Sequence, residues 1–409
     1  MLALEIQGQL TGHRMSQNIP SPKRIKRHVI GRAHTFYAAT PLGVESLCAA
    51  EIDALPTDIH QTTITAGGVE FEGRLTACYA ANLHLRTPTR ILMRLAHFKA
   101  TNFRQFEKKA RQFPWELYLP PSAELAFRAK SKHSRLFHSN AMAKRLSGCI
   151  HRRIPESAFS DTASFASKET QRVYIRVVDD RIDLSLDSSG ELLFKRGLKR
   201  QVGKAPIREN LAASILKFAG YDGSQILLDP MCGSGSFSLE AAMIAKNVPP
   251  GYFRSFAFMK WPGFRESQWR HLRRRSALKF KHFSSPLIFA SDCDAACSRN
   301  LSRLSRRFGL ADVIQAQSRD FFDFDPRFIT DRPGILVLNP PYGVRLGSNG
   351  QQKKFYTDIR KKLTSDYRHW RIALLVKNSA IAGKFPNGWK RIPLFHGGLE
   401  LTLLLGVFT

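Results

Sequence analysis

Cysteine is scarce in this chain of 409 residues. There are six, Cys48, Cys78, Cys149, Cys232, Cys293 and Cys297, and no two form a CxxC pair. That spacing argues against a disulfide framework and against the common zinc-ligand patterns, so neither bridges nor a metal is expected. Long apolar runs are also missing. None approaches the roughly 18 to 20 residues that a membrane-spanning helix needs, and the N-terminus has no apolar signal-peptide core. A cytoplasmic protein with no membrane partner is therefore expected. Acidic residues are in short supply, with 33 against 63 lysines and arginines and a net charge of +30. Such an excess opposes compaction through self-repulsion and fits a polyanionic partner. The cations are spread along the chain, not gathered on one amphipathic helix, which points to RNA or DNA.

A hydrophobic content of 43% is ample for packed cores, and the length calls for two or three domains. Residues 1–34 carry Lys23, Arg24, Lys26, Arg27 and Arg32 with no acid after Glu5, and read as a basic flexible extension. Strand and helix patterns over 36–55, 67–73 and 75–100 indicate a small α+β unit. Residues 173–190 read as a hairpin around Asp179-Asp180. A basic loop from Leu193 leads into a helix starting near Pro206, with Glu209 in its first turn.

From Ile226 onward, apolar β-rich runs alternate with helical stretches. The runs are ILLD (226–229), LIFASD (287–292), VIQAQSRD (313–320), GILVLNP (334–340) and IALLVK (372–377). Strands of this kind are buried on both faces of a parallel sheet covered by helices. KRIPLFHG and LELTLLLGVF are joined only at Gly397-Gly398. No parallel crossover fits there, so an antiparallel edge hairpin is expected. Seven strands with one reversed is the methyltransferase variant of the doubly wound fold.

The first run passes into Asp229-Pro230-Met231-Cys232-Gly233-Ser234-Gly235. Open α/β sheets bind ligands at the carboxyl ends of their strands. Gly233 and Gly235 let a ligand approach the backbone without a Cβ in the way. Phe237 and Ser238 follow Gly235, so GxGxxG is absent, and no GK[ST] follows either. Both absences weigh against a nucleotide-phosphate loop. S-adenosylmethionine (SAM) carries a sulfonium and no phosphate, and the acidic Asp229 suits it. Asp292 ends the second strand, placed to accept from ribose hydroxyls, while Asp294 is the better cap for the helix that follows. Asp320 follows the third strand and can accept from an adenine amino group, with Phe321 against the ring.

The fourth strand ends in Asn339-Pro340-Pro341-Tyr342. The residue before a proline is held extended, and the prolines fix φ. The Asn339 side-chain oxygen and the Pro340 carbonyl then form a stiff pair of acceptors beside the flat Tyr342. This arrangement suits an –NH2 on a planar ring, whose lone pair must be turned towards an electrophilic methyl.

With these motifs the chain resembles the THUMP-containing RNA methyltransferases that make N2-methylguanosine, bacterial 23S rRNA enzymes in particular. The resemblance covers about residues 36–400. It rests on GGVEFEG with YAANLHLRTPTRILMRLAHF, on LSLDSSGELLFKRGLKRQVGKAPIRENLAASIL, on LDPMCGSGSFSLEAAMIA and on NPPYGVRLG. It implies an α/β fold with a C-terminal Rossmann-like, class I SAM-dependent methyltransferase sheet. Before it would come an N-terminal α+β region made of a ferredoxin-like unit and a THUMP RNA-binding region. The implied segments are 1–34 (extension), 35–78 (part of the ferredoxin-like unit), 79–190 (THUMP) and 191–409 (methyltransferase), with no second methyltransferase domain. SAM would be held by Asp229, Met231, Cys232, Gly233, Gly235, Asp292 and Asp320, with Pro206, Arg208 and Asn210 lying over it. Asn339 to Tyr342 would take a flipped-out guanine of 23S rRNA or a pre-ribosomal particle. Two other readings stand beside this one: adenine-N6 or protein-glutamine methylation on the same fold, and a non-catalytic RNA-binding assembly factor. The basic stretch HLRRRSALKFKH (271–282) reads equally as an RNA contact or a solvated helix face.

The charge balance generates a prediction. Binding of RNA should weaken steeply with salt, each phosphate contact adding about 0.7 to 0.9 to the slope of log affinity against log salt. A flat salt titration would remove the nucleic-acid reading.

Overall fold

The computed structural model describes residues 20–159, 170–199, 207–341, 349–377 and 379–409. These build two sheets. The first takes β1 (His34–Ala39), β2 (Thr62–Thr65), β3 (Gly68–Gly73), β4 (Arg90–Lys99), β5 (Glu124–Lys132), β6 (Ala158–Phe159), β7 (Gln171–Val178) and β8 (Arg181–Asp187) in the order β2-β3-β1-β4-β8-β7-β5-β6. Most neighbours are antiparallel; β5 is parallel to β6 and β7. Asp179 and Asp180 turn β7 into β8 with φ of 50° and 60°, the left-handed pair that a two-residue hairpin demands.

The second sheet takes β9 (Leu227–Asp229), β10 (Ile288–Asp292), β11 (Ile314–Ser318), β12 (Ile335–Leu338), β13 (Arg371–Val376), β14 (Lys390–His396) and β15 (Leu399–Gly406) in the order β11-β10-β9-β12-β13-β15-β14. Only β15 runs against its neighbours. The expected seven-stranded α/β sheet with one reversed strand is what the chain forms, and Gly397-Gly398 closes the edge hairpin at positive φ. Residues alternate between the two faces, as burial on both sides requires. Leu227, Ile335 and Val337 face one core; Leu228, Leu336 and Leu338 face the other. The order reverses at β9: β10 and β11 lie on one side of it, β12 and β13 on the other. The strand tips around that reversal form the ligand crevice of such sheets.

Three sequence expectations need correction. Residues 20–33 do not form a flexible arm. Pro22–Ile25 is helical, capped by Ser21, a π-turn follows over Lys26–Ile30, and Ile25 and Val29 are buried in the first core. Residues 1–19 lie outside the described residues. The expected boundary at 78/79 falls inside the helix Leu75–His84, and β4 pairs with both β1 and β8, so one sheet spans both expected segments. Nor does the chain beyond 191 belong to one unit. Phe256, Phe258, Trp261 and Trp269, between β9 and β10, are buried in the core of the first sheet. Tyr79 stacks on Phe258 at 4.7 Å, a type of contact worth about 0.5–1.5 kcal/mol beyond its area.

Polar anchors join the two halves. Glu240, on the helix Ser236–Ala245, has no exposed side-chain surface and meets Arg196 Nε at 2.8 Å and Arg86 at 3.3 Å. Arg86 also donates to Val248 O, and Arg196 to Arg86 O. Glu51, on the helix Glu45–Asp53, accepts from the Arg86 and Thr87 backbones and from the Thr87 hydroxyl, and pairs with Lys217 at 3.0 Å. The basic loop seen in sequence is thus partly internal.

Glu240→Ala would leave two guanidinium groups buried without their carboxylate, and is expected to cost about 3–5 kcal/mol. Chemical denaturation of the variant measures this; an unchanged midpoint would show that the cluster is not stabilising.

Candidate active site

The crevice at the reversal holds a cavity of about 580 Å³, within the ~300–1,000 Å³ of small-molecule sites. Gly233 and Met231 of the glycine turn line it, as do Asp292 beyond β10, Asp320 beyond β11, and Asn339 and Pro341 beyond β12. Strand tips some hundred residues apart in sequence share one cleft because β9 lies between β10 and β12.

The turn is shaped by backbone geometry. Gly233 and Gly235 take φ of 50° and 74°. A Cβ on Gly233 would meet nothing within 4 Å, whereas one on Gly235 would stand 2.7 Å from Leu301. Gly233 therefore keeps the cavity wall low, and Gly235 lets the helix Ser236–Ala245 approach the helix Ala295–Arg307. Asp292 braces the turn: Oδ2 accepts from Gly233 N at 2.8 Å and Oδ1 from Asp294 N at 2.9 Å. Asp294 caps the following helix through Ala296 N.

Asp229 does not line the cavity. It is fully buried beneath the turn, its Oδ2 accepting from Ser238 Oγ at 2.6 Å and its Oδ1 without a partner. Burial, reinforced by the nearby Asp292 charge, pushes its carboxyl up to about 7. The expected cofactor ligand is thus placed beneath the cavity wall, among the buried residues. Gly235 is likewise absent from the cavity lining and packs against Leu301. Asn210 is also outside the cavity: it is buried and donates to Thr87 O at 3.1 Å, across to the first sheet. Arg208 is exposed and lies over the Phe194 ring at 5.0 Å. Of that stretch it is Ile207 that lines the cavity. Pro206 and Tyr342 lie outside the described residues. Phe321 lines the cavity but is buried against Tyr367. The half-buried rings are Phe322 and Phe355, packed edge to face at 5.8 Å. Sequence reading missed both. The doubled Phe321-Phe322 after a strand was a signal, one ring for the core and one for the cleft. Phe355 beside the buried Tyr356 repeats it.

In a protein of net charge +30 this cavity is lined by three carboxylates, Asp292, Asp294 and Asp320. No lysine or arginine is among the described lining residues. Such a wall repels phosphate and suits a cation that bears ribose hydroxyls and an adenine ring, so the residues present fit SAM. Three thiols line the same cavity. Burial and neighbouring carboxylates raise Cys232 and Cys293, and push Cys297 up to about 11. They are protonated at neutral pH, which disfavours a thiolate nucleophile. Among the described residues there is no cluster of three or more metal-binding side chains, and no helix is long and apolar enough to cross a membrane.

Comparison with known proteins agrees with this geometry. Residues 196–404 match the RMKL-like methyltransferase domain, and residues 35–92 match the RlmL ferredoxin-like domain. The chain is 30% identical over 373 residues to the putative RNA methyltransferase YpsC of Bacillus subtilis (strain 168), across 90% of this chain and 94% of that protein. It is 31% identical over 382 residues to ribosomal RNA large subunit methyltransferase K/L of Methylococcus capsulatus, across 90% of this chain and 50% of that protein. The chain thus spans about half the length of that K/L relative. The solved structure of SMU.472, a putative methyltransferase complexed with SAH, superposes with a TM-score of 0.80 at 26% identity, covering 92% of this chain and 99% of that one.

The raised carboxyl of Asp229 carries a pH dependence. Its folded pKa lies above the ordinary carboxylate value of 3.8, at about 7. The folded state therefore holds its proton longer than the unfolded state, and stability falls as pH rises between those values. Relative to Asp229→Asn, the wild type should lose stability from about pH 4 to 7 and hold a constant difference on either side. Paired denaturation curves across that range test it; a difference that does not vary with pH would refute it.

Proposed function

This chain belongs to the RMKL-like methyltransferase family, and we propose that within it the protein methylates the exocyclic N2 of a guanine in RNA, 23S rRNA foremost. The observation that carries the reading is the shared cleft. A carboxylate-lined cavity, with no cation among its described lining residues, is bounded by Asn339 and Pro341 in a strongly basic protein. The names of the relatives, an RNA methyltransferase and a ribosomal RNA large subunit methyltransferase, support RNA as substrate. The half of the chain built on the first sheet takes the RNA-binding role of a THUMP-type region, and the cytoplasm, where ribosomal RNA is available, is the expected location.

When bound, SAM supplies an electrophilic methyl carbon on a sulfonium. Asp292, which holds the glycine turn through Gly233 N, would accept from the ribose hydroxyls. Asp320 would accept from the adenine amino group, with Phe322 and Phe355 available to the ring. The Asn339 side-chain oxygen and the Pro340 carbonyl accept the two N2 hydrogens. That pair draws electron density to nitrogen and aims its lone pair at the cofactor side of the cleft, so positioning contributes most of the rate. The surplus proton leaves to water after transfer, so no strong side-chain base is required.

Asn339→Ala is expected to lower methylation by about 10²-fold or more while leaving SAM affinity nearly unchanged. Nucleoside digestion of RNA treated with protein and labelled SAM identifies the product. N2-methylguanosine supports the proposal; N6-methyladenosine would replace it with the adenine reading, and RNA binding without label with that of an assembly factor.

A further inference from the structure

A second cavity, of about 440 Å³, opens between the helix Leu75–His84 and the helix Glu266–Ala277, at the seam where the insertion docks on the first sheet. Its chemistry is the reverse of the first. Among the described lining residues there is no carboxylate, and His271, Arg275 and Lys279 stand exposed on one side. The side chains of Arg275 and Lys279 form no ion pair or hydrogen bond among the described residues, in contrast to that of Arg273, which is spent on Tyr252 O and its ring. The floor is mainly apolar. Tyr79 is buried and fixed in place by Phe258, Phe264 and Trp269, with its hydroxyl accepting from Arg265 N. Ala80 and Leu272 complete it.

His84 adds directional polarity. Burial pushes its imidazole down to about 4, so it is neutral at pH 7. Ser276 Oγ lies 2.9 Å from Leu272 O and 3.2 Å from His84 Nε2, so the imidazole shares this hydroxyl with the helix backbone. A slot with an apolar floor, a neutral hydrogen-bonding imidazole and a cationic rim matches one unpaired nucleotide: base inside, phosphates against Arg275 and Lys279. A duplex is too wide to enter.

We propose that this seam is a second RNA site, which captures an unpaired nucleotide of the substrate away from the methylated base. The proposal rests on the RNA reading above. It gives the basic stretch 271–282 a defined task and makes docking of the insertion a condition for RNA capture, since each half of the molecule supplies one wall.

The test uses the full chain and a six-residue oligouridylate, with an abasic oligomer of equal length and hexaglutamate for comparison. The oligouridylate should bind on the order of tenfold tighter than the abasic oligomer. Thr76→Trp, which fills the mouth without changing charge, should erase that preference. Arg275→Glu combined with Lys279→Glu should weaken both nucleotide probes and lower the salt slope by about two, with SAM binding retained. If Thr76→Trp does not fold, a 4-thiouridine oligomer crosslinked to the wild-type chain decides instead: adducts within 76–84 or 267–279 support the site, and adducts confined elsewhere overturn it. Hexaglutamate binding as tightly as oligouridylate, or a base preference that survives Thr76→Trp, also overturns it. A protein that methylates guanine yet shows none of these effects refutes this proposal alone; one that neither binds nor methylates RNA refutes the reading beneath it.

Discussion

One buried carboxylate joins the two halves of this molecule. Glu240 lies on the helix that follows the glycine turn, and its two oxygens are met by Arg86 from the first sheet's region and Arg196 from the junction. A lone carboxylate without exposed surface would be strongly disfavoured; two guanidinium partners, themselves bonded to backbone carbonyls, satisfy it. The geometry has a consequence for the site. The helix carrying Glu240 begins at Ser236, directly after Gly235, so the ion cluster and the cleft wall share one element. Lys199 strengthens the link, reaching Ser236 Oγ at 2.8 Å and Glu209 at 3.2 Å. Arg254 ties the other side, donating to the Ser189, Glu191, Leu192 and Lys195 carbonyls. The junction is held from both ends by charges that a sequence reader assigns to RNA.

Charge is therefore partitioned three ways. Some cations are internal fasteners, such as Arg86, Arg90, Arg172 and Arg196. Others, on the exposed faces of the helices Glu266–Ala277 and Ala295–Arg307, remain in solvent. None of the described residues lining the main cleft is a lysine or arginine. Local composition thus runs opposite to the net charge where the ligand is a cation, and with it where the partner is a polyanion. Long-range steering and local complementarity are separate problems, and this chain solves them with different residues.

The second sheet was legible because its strands carry the information locally. ILVL and IALLV are continuous β-rich runs, bounded by turns, and buried on both faces. The reversed strand followed from loop length alone, since two glycines cannot span a crossover. The strand-tip residues Asp292, Asp320 and Asn339 were legible for the same reason: a doubly wound sheet fixes where strand ends meet. What failed depended on contacts distant in sequence. The insertion around Phe256–Trp269 reads as part of the second half, yet its aromatics find their partners near Tyr79. Asn210 looks like a cofactor neighbour from its place in the motif, but its amide reaches Thr87, 123 residues away. Asp229 looks like a ligand because it ends a strand, and the structure places it one layer below. A signal for the fastening did exist: SFSLEAAMIA is an apolar helix with a single glutamate, and a charge in such a stretch must have a partner.

The split of labour between sheet and insertion bears on how the two halves can move. Had the halves met only through the junction at 188–199, they would behave as domains on a tether, and the distance from RNA-binding surface to cleft would vary. Instead the chain leaves the second sheet after β9, buries four large aromatic side chains in the first core, and returns as β10. Separating the halves would expose those rings as well as breaking the Glu240 and Glu51 clusters. Aromatic burial and paired charge fail together, so the opening of this seam is a costly, concerted event and not a low-energy hinge. An enzyme that must place one base among many beside a sulfonium gains from that constraint, because the separation between where RNA is held and where the methyl is delivered becomes a property of the fold.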